Sequence, residues 1–130
     1  LGLSQLQRID KIISKRAKIA AKYNKYFKNV KGIEIPKIKN NRNHSYHLYT
    51  IKINKEYPLT RDELFMKLSK KGIGTSVQYY PLHLMSYYKN KFKIKDKEYP
   101  VSNKLKDEIL CLPIFPTMST KQIDYVIKQI

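Results

Sequence analysis

Apolar positions along this chain recur first at helical steps, then alternate, and return to helical steps before the end. Leu3, Leu6, Ile9, Ile13, Ala17, Ala20, Tyr23 and Phe27 predict one long amphipathic helix over residues 1–27. Ile12, Ile19 and Tyr26 add a thinner second stripe, so this helix is expected to touch two neighbours. Ser4 and Gln7 have the spacing of a capping box, unless the helix continues upstream of them. Asn29 to Gly32 ends the helix, and Ile33 to Pro36 reads as a short edge strand. His44 to Ile53 gives the clearest strand pattern. Tyr49, Ile51 and Ile53 share one face, Thr50 and Lys52 the other, and the strand is expected to be central.

The second half alternates between well-marked helices and less regular stretches. Thr60 and Glu63 form a capping box that opens a helix through Leu64, Phe65 and Leu68, and Gly72 is placed to end it. Thr75 to Tyr80 has the β-branched and aromatic content of a strand, which Pro81 closes. Residues 84–99 are weakly patterned: one helical turn is expected near Met85 to Tyr88, and Lys91 to Lys95 alternates like a charged strand. Ser102 is positioned to cap a helix through Leu105, Ile109 and Leu110, and the prolines of Leu112 to Pro116 force an extended run. Ser119 and Gln122 cap a last helix that buries Ile123, Val126, Ile127 and Ile130. Together these predict an α+β two-layer fold, a small antiparallel or mixed sheet with helices on one side.

Length and composition narrow the class. The 130 residues suit one domain with a modest core. They begin at Leu1 inside a helix, as a piece of a longer protein would. The sequence has neither an apolar run of membrane-spanning length nor a secretory leader, and a cytoplasmic setting is expected. Cys111 lies in the apolar run Ile109 to Ile114 and reads as a small buried hydrophobe in a reducing compartment. No Cys/His set has zinc spacing, and His44 and His47, three apart on a strand, point to opposite faces. The net charge of +17 attracts polyanions at low salt. Its lysines are spread over almost every segment, in a chain rich in Lys, Asn, Ile and Tyr as AT-rich coding sequence produces, so the charge is a weak functional signal.

The stretch that draws chemical interest is Gly72 to His83. Its strand and Pro81-stiffened turn deliver Gln78, Tyr79, Tyr80 and His83 to one loop. Read on their own, two tyrosines and a histidine beside a proline are more often a packed, partly exposed corner than a site.

In order along the chain, Leu1-Gly-Leu-Ser-Gln-Leu-Gln-Arg-Ile-Asp10, Arg16-Ala-Lys-Ile-Ala-Ala-Lys-Tyr23, Tyr46-His-Leu-Tyr49, Arg61-Asp-Glu-Leu64, the Gly72 to His83 stretch and Leu110-Cys-Leu-Pro-Ile-Phe-Pro116 form a recognisable set. Followed by Met118-Ser119 and the final helix, they resemble the C-terminal part of the pyridoxal phosphate-dependent sugar aminotransferases of the DegT/DnrJ/EryC1/StrS group. The resemblance covers nearly the whole chain. It implies the small C-terminal domain of the type I, aspartate aminotransferase-like fold, with residues 1–27 as an interdomain helix and 28–130 as the domain proper. It also implies amino transfer from glutamate to a keto group of a nucleotide-linked sugar, for polysaccharide, lipopolysaccharide or antibiotic sugars. Pyridoxal phosphate and its Schiff-base lysine belong to a large domain outside these residues, so the chain alone is expected to be inactive and to bind no cofactor.

Its partners by resemblance are its own large domain, a second subunit of a homodimer, the nucleotide sugar and glutamate, with no membrane and no specific nucleic acid. The resemblance assigns Gln78, Tyr79, Tyr80 and His83 to substrate contact. Where the family often has histidine this chain has Gln78, which makes a polar contact but cannot titrate. Arg61 matches a family arginine, and its place at a helix start favours a structural or surface role. The competing reading is a stand-alone basic module that binds nucleic acid or another polyanion through its lysines and some of its eleven tyrosines.

Overall fold

A computed structural model describes residues 2–130; Leu1, the first position of the predicted long helix, lies outside the described residues. That helix is in two pieces, α1 (Gly2–Leu6) and α2 (Ile9–Phe27), with Arg8 between them at φ −112° and ψ 3°. The two pieces are joined by backbone bonds from Arg8 N–H to Gln5 O and from Ile12 N–H to Arg8 O, but α1 buries none of its side chains, and Leu3 and Leu6 are 73% and 67% exposed. Ser4 lies inside α1. Of the expected long face only Ala20, Tyr23 and Phe27 are buried, and Ile19 of the second stripe joins them.

Two strands follow, β1 (Ile33–Glu34) and β2 (Tyr49–Ile53). The ladder expected from His44 begins only at Tyr49, since Tyr46 has φ 49° and its N–H bonds the His44 ring Nδ1 at 2.8 Å. The carbonyls of Tyr46 and His47 are turned to the Arg16 guanidinium, at 3.2 Å each. Those groups are unavailable to a neighbouring strand. Beyond Tyr49 the alternation is as predicted, with Tyr49, Ile51 and Ile53 buried and Thr50 and Lys52 partly exposed.

Helix α3 (Arg61–Lys70) starts in a complete Thr60–Glu63 capping box. It stops at Gly72, φ 71°, where Gly72 N–H bonds Ser69 O and Ile73 N–H bonds Leu68 O. This is the left-handed glycine termination, and it puts Ile73 beside Leu68, both buried. After it come α4 (Ser86–Phe92), α5 (Pro100–Glu108), β3 (Ile109–Leu112) and α6 (Thr120–Gln129). Three-residue 3₁₀ turns at Leu82–Leu84 and Asp96–Glu98 flank α4.

The structure revises three local expectations. Residues 91–95 are no strand: α4 runs to Phe92 and Lys93 turns left-handed at φ 51°. Pro100, not Ser102, opens α5, because a proline in the first turn gives up only an N–H that has no helical partner. The apolar run from Ile109 is the third strand and not a helix end. A short apolar run carries no period that tells the two apart, and the free edge of β2 decides it.

The sheet is antiparallel in the order β1-β2-β3, with β2 central as predicted. Ile53 pairs with Ile33, Tyr49 with Leu112 and Ile51 with Leu110, which gathers their apolar side chains on one face. Tyr23 and Phe27 of α2, Leu64 and Leu68 of α3, and Ile123 and Val126 of α6 join them in one core. Each fully buried large side chain contributes roughly 1.5–3 kcal/mol. On the opposite face Lys52 meets Glu34 at 2.7 Å and Thr50 Oγ1 lies 3.2 Å from Cys111 Sγ. Cys111 is a free, buried thiol, as expected.

Two glycines with positive φ separate backbone strain from crowding. A side chain at Gly72 would meet open space, whereas a Cβ at Gly32, φ 82°, would overlap the backbone of Tyr57. Gly72→Ala should cost about 1 kcal/mol from the left-handed backbone alone. Gly32→Ala should cost distinctly more, roughly 2–3 kcal/mol or greater, and urea midpoints of the two variants check the order.

Glu63 gives a prediction in pH. Its carboxylate accepts from the Thr60 amide at 2.7 Å and from the Thr60 hydroxyl at 2.8 Å, and these bonds hold its pKa below the ordinary range. Stability from a depressed carboxyl is complete above the unfolded-state pKa, about 4.3, and is lost as pH falls through the folded value. Acidification from neutral to about pH 5 should leave this contribution intact. Below about pH 4.3 the urea midpoint should fall less steeply for Glu63→Gln than for the parent chain.

Candidate functional site

The expected strand over residues 75–80 is reduced to one bridge. Ser76 and Cys111 exchange both backbone hydrogen bonds, Ser76 N–H to Cys111 O at 3.2 Å and Cys111 N–H to Ser76 O at 2.8 Å. This pins the segment to the free edge of β3, and beyond it the chain leaves the sheet. Gln78 is half-buried, and its amide Nε2 donates to Ser76 Oγ at 3.3 Å. The next peptide, Gln78–Tyr79, is cis. Tyr79 and Tyr80 then stand out from the surface, 75% and 54% exposed, before Pro81 and the 3₁₀ turn close the loop.

His83, grouped with the tyrosines in the sequence, points the other way. It is 7% exposed and its ring stacks on Tyr99 at 4.6 Å. Asn103 Nδ2 donates to the Asp96 carbonyl at 2.6 Å, so its Oδ1, 2.8 Å from His83 Nε2, accepts, and the His83 Nε2–H is the donor. Asp96 in turn pairs with Lys89 at 2.8 Å, and that hydrogen bond lowers the Asp96 pKa. His83 therefore ties the tyrosine turn to α5 and to the end of α4, holding Tyr79 and Tyr80 from behind. Tyr87, Tyr88 and Phe92 of α4 add an exposed aromatic surface nearby in sequence, with Tyr88 stacked on Phe92 at 6.4 Å.

Arg61 has the structural role anticipated for it. Its side chain is largely buried, its Nη1 donates to Ile109 O at 3.2 Å and its Nε to Asp62 at 2.6 Å, which clamps the start of α3 to the α5–β3 junction. The buried phenols are structural as well. Tyr23 donates to Pro113 O at 2.9 Å and Tyr49 to Asn24 Oδ1 at 2.7 Å, and burial pushes both hydroxyls well above the ordinary tyrosine range.

A lysine that forms an imine with pyridoxal phosphate has to be desolvated and aimed at the carbonyl. Among the described residues no lysine is buried, and His83 is the buried polar side chain. No group of three or more His, Cys, Asp or Glu side chains among them is arranged to hold a metal ion. No helix among them is long and apolar enough to cross a membrane.

One feature of the sequence goes against the reading of diffuse charge. Arg8, Lys11, Lys15, Lys18 and Lys22 follow each other at three- and four-residue steps, and on α2 and its entry they make one cationic stripe. The stripe lies on the side of the helix away from its buried residues Ala20, Tyr23 and Phe27.

Comparison with known proteins agrees with this architecture. A family profile described as the DegT/DnrJ/EryC1/StrS aminotransferase family matches residues 1–130. The spore coat polysaccharide biosynthesis protein SpsC of Bacillus subtilis is 33% identical over 132 residues, covering 100% of this chain and 34% of that protein. The aminotransferase TlmJ of Streptoalloteichus hindustanus superposes with a TM-score of 0.86 at 27% identity, over 98% of this chain and 33% of its own. Spr1654 of Streptococcus pneumoniae, solved in PMP and PLP forms, does so at 27% identity over 98% of this chain and 32% of its own, with TM-scores of 0.87 and 0.86. The chain thus spans about a third of the length of the relatives it matches. With its α+β fold, its antiparallel three-stranded sheet and its motifs in the family's order, the chain belongs to the DegT/DnrJ/EryC1/StrS aminotransferase family.

Proposed function

We propose that this chain is the small C-terminal domain of a pyridoxal phosphate-dependent nucleotide-sugar aminotransferase, a cytoplasmic homodimer that takes its amino group from glutamate. Residues 28–130 form that domain, and residues 2–27 run towards a large domain that supplies the cofactor site and its lysine. Family membership, the polysaccharide role in the name of SpsC and the PMP and PLP forms of Spr1654 support this reading. The absence of a buried lysine among the described residues is the reason for assigning the cofactor elsewhere.

The observation that carries the site assignment is the exposure of Tyr79 and Tyr80 on a turn anchored at both ends, by the Ser76–Cys111 bridge and by His83. Exposed, pre-positioned phenols cost little side-chain entropy on binding and offer both a ring face and a hydroxyl. Tyr79 and Tyr80 contact the nucleotide sugar by stacking and hydrogen bonding, and Gln78 adds an uncharged polar contact. His83 serves as a positioning residue, because its Nε2–H is already used on Asn103 and its ring lies against Tyr99.

The test is steady-state and half-reaction kinetics on the full-length protein. Tyr79→Ala and Tyr80→Ala should each raise KM for the keto-sugar nucleotide by about tenfold, the loss of one contact of about 1.4 kcal/mol, and leave the glutamate half-reaction nearly unchanged. An unchanged KM in both variants would remove the turn from the substrate site. The 130-residue chain by itself should show no turnover with glutamate and a keto-sugar nucleotide; turnover would overturn the division of labour.

A further inference from the structure

Between β1 and β2 the chain runs from Ile35 to Leu48 without helix or strand, and one short stretch of it is held in a strained shape. Tyr46 is buried, at 8% exposure, with its backbone left-handed at φ 49°. That conformation is unfavourable for a large side chain and persists only where the surroundings impose it. Two side chains impose it here. His44 Nδ1 accepts the Tyr46 N–H at 2.8 Å, and the two rings lie 4.5 Å apart. From α2, Arg16 Nη1 donates to Tyr46 O and to His47 O, at 3.2 Å each.

The two restraints differ in chemistry. A guanidinium keeps its charge at every pH at which proteins fold, so the Arg16 bonds are indifferent to acid. His44 holds the Tyr46 N–H only as the neutral imidazole with its proton on Nε2. A second proton takes the Nδ1 lone pair and sets two donors, Nδ1–H and the Tyr46 N–H, against each other. The new charge meets no counter-ion. Residues 35–48 contain no Asp or Glu, and among the described residues no carboxylate lies in salt-bridge range of His44. The charged group that α2 brings to this stretch is the Arg16 guanidinium, and the loop itself adds Arg42 and the titratable His47. All of these are cations or can become cations, and they repel an imidazolium. Arg16 Nε is buried without a partner among the described residues, so release of the clamp returns an unsatisfied donor to water.

We infer that His44 is a pH-sensitive latch on residues 37–48. As the neutral imidazole it holds Tyr46 left-handed and the loop against α2. Protonated, in the mildly acidic range where imidazoles gain their charge, it lets the segment open as a local unit. Strand β2, paired with β3 from Tyr49 onward, stays closed. The latch is therefore shut at neutral pH and opens as the pH falls. It uses none of the residues of the tyrosine turn.

The experiment is hydrogen–deuterium exchange of the full-length protein at about pH 7.5 and about pH 5, either side of the imidazole range. Peptides covering 44–48 and 49–53 are followed by mass spectrometry, with each rate divided by the intrinsic amide rate at that pH. In the parent, protection over 44–48 should fall about tenfold at the lower pH, the loss of one hydrogen bond, while 49–53 stays protected. Asparagine accepts from the N–H two residues on and does not titrate, so His44→Asn should keep its protection at both pH values. His44→Phe, with a ring but no acceptor, should be poorly protected at both. His47→Gln should behave as the parent does. His44 is exposed, and far-UV circular dichroism checks that each variant folds. Protection in the parent that ignores pH, a fall shared by 49–53, or a parental pH response in His44→Asn would each overturn the inference. So would parental protection in His44→Phe, or loss of the response in His47→Gln.

Discussion

The contact between Tyr23 of α2 and Tyr49 of β2, ring centroids 4.9 Å apart, is the joint on which the two layers rest. Both side chains are fully buried, so both hydroxyls need partners inside the protein. Tyr49 finds Asn24, one residue beyond Tyr23 on the same helix, and Tyr23 finds the carbonyl of Pro113 just past β3. A single aromatic pair thereby ties α2 to the central strand and to the end of the outer one. Removal of either ring would leave a large void and also an unpaired polar atom, and the second loss makes the joint specific as well as strong.

The position of the tyrosine turn follows from that joint. Once β3 is held against β2, Cys111 presents its N–H and C=O to the free edge, and Ser76 takes both. Only one residue pairs there, so the chain is anchored and then released from the sheet. Gly72 brings it to the edge and His83 captures it on the other side through Asn103 and Tyr99. A loop fixed at two points presents Tyr79 and Tyr80 outward with little conformational freedom.

Charge is distributed by the fold in a way that composition hides. Glu34, Asp96 and Asp124 each sit against one lysine, so these acidic side chains are spent locally. On α2, Arg8, Lys11, Lys15 and Lys18 have no carboxylate in salt-bridge range among the described residues, while Lys22 of the same stripe meets Asp124. A surplus of lysine spread evenly along a sequence becomes a directional surface once one helix collects it.

What the sequence by itself determined are the features set by neighbours a few residues apart. The Thr60–Glu63 and Ser119–Gln122 capping boxes, the glycine stop at Gly72, the alternation of Tyr49 to Ile53 and the ordered family motifs are of this kind, and a short stretch of backbone suffices to impose each. Tertiary structure decided whatever depends on a distant partner. Ile109 to Leu112 became a strand because β2 had an edge to fill, and residues 75–80 kept a single bridge. His44 to Leu48 left the ladder because Arg16 drew in its carbonyls. His83 turned inward because Asn103 and Tyr99, far along the chain, were there to receive it. Local propensity fixes where the backbone may turn; the pairing of edges and the direction of a side chain depend on what lies across the fold, which no short stretch of sequence contains.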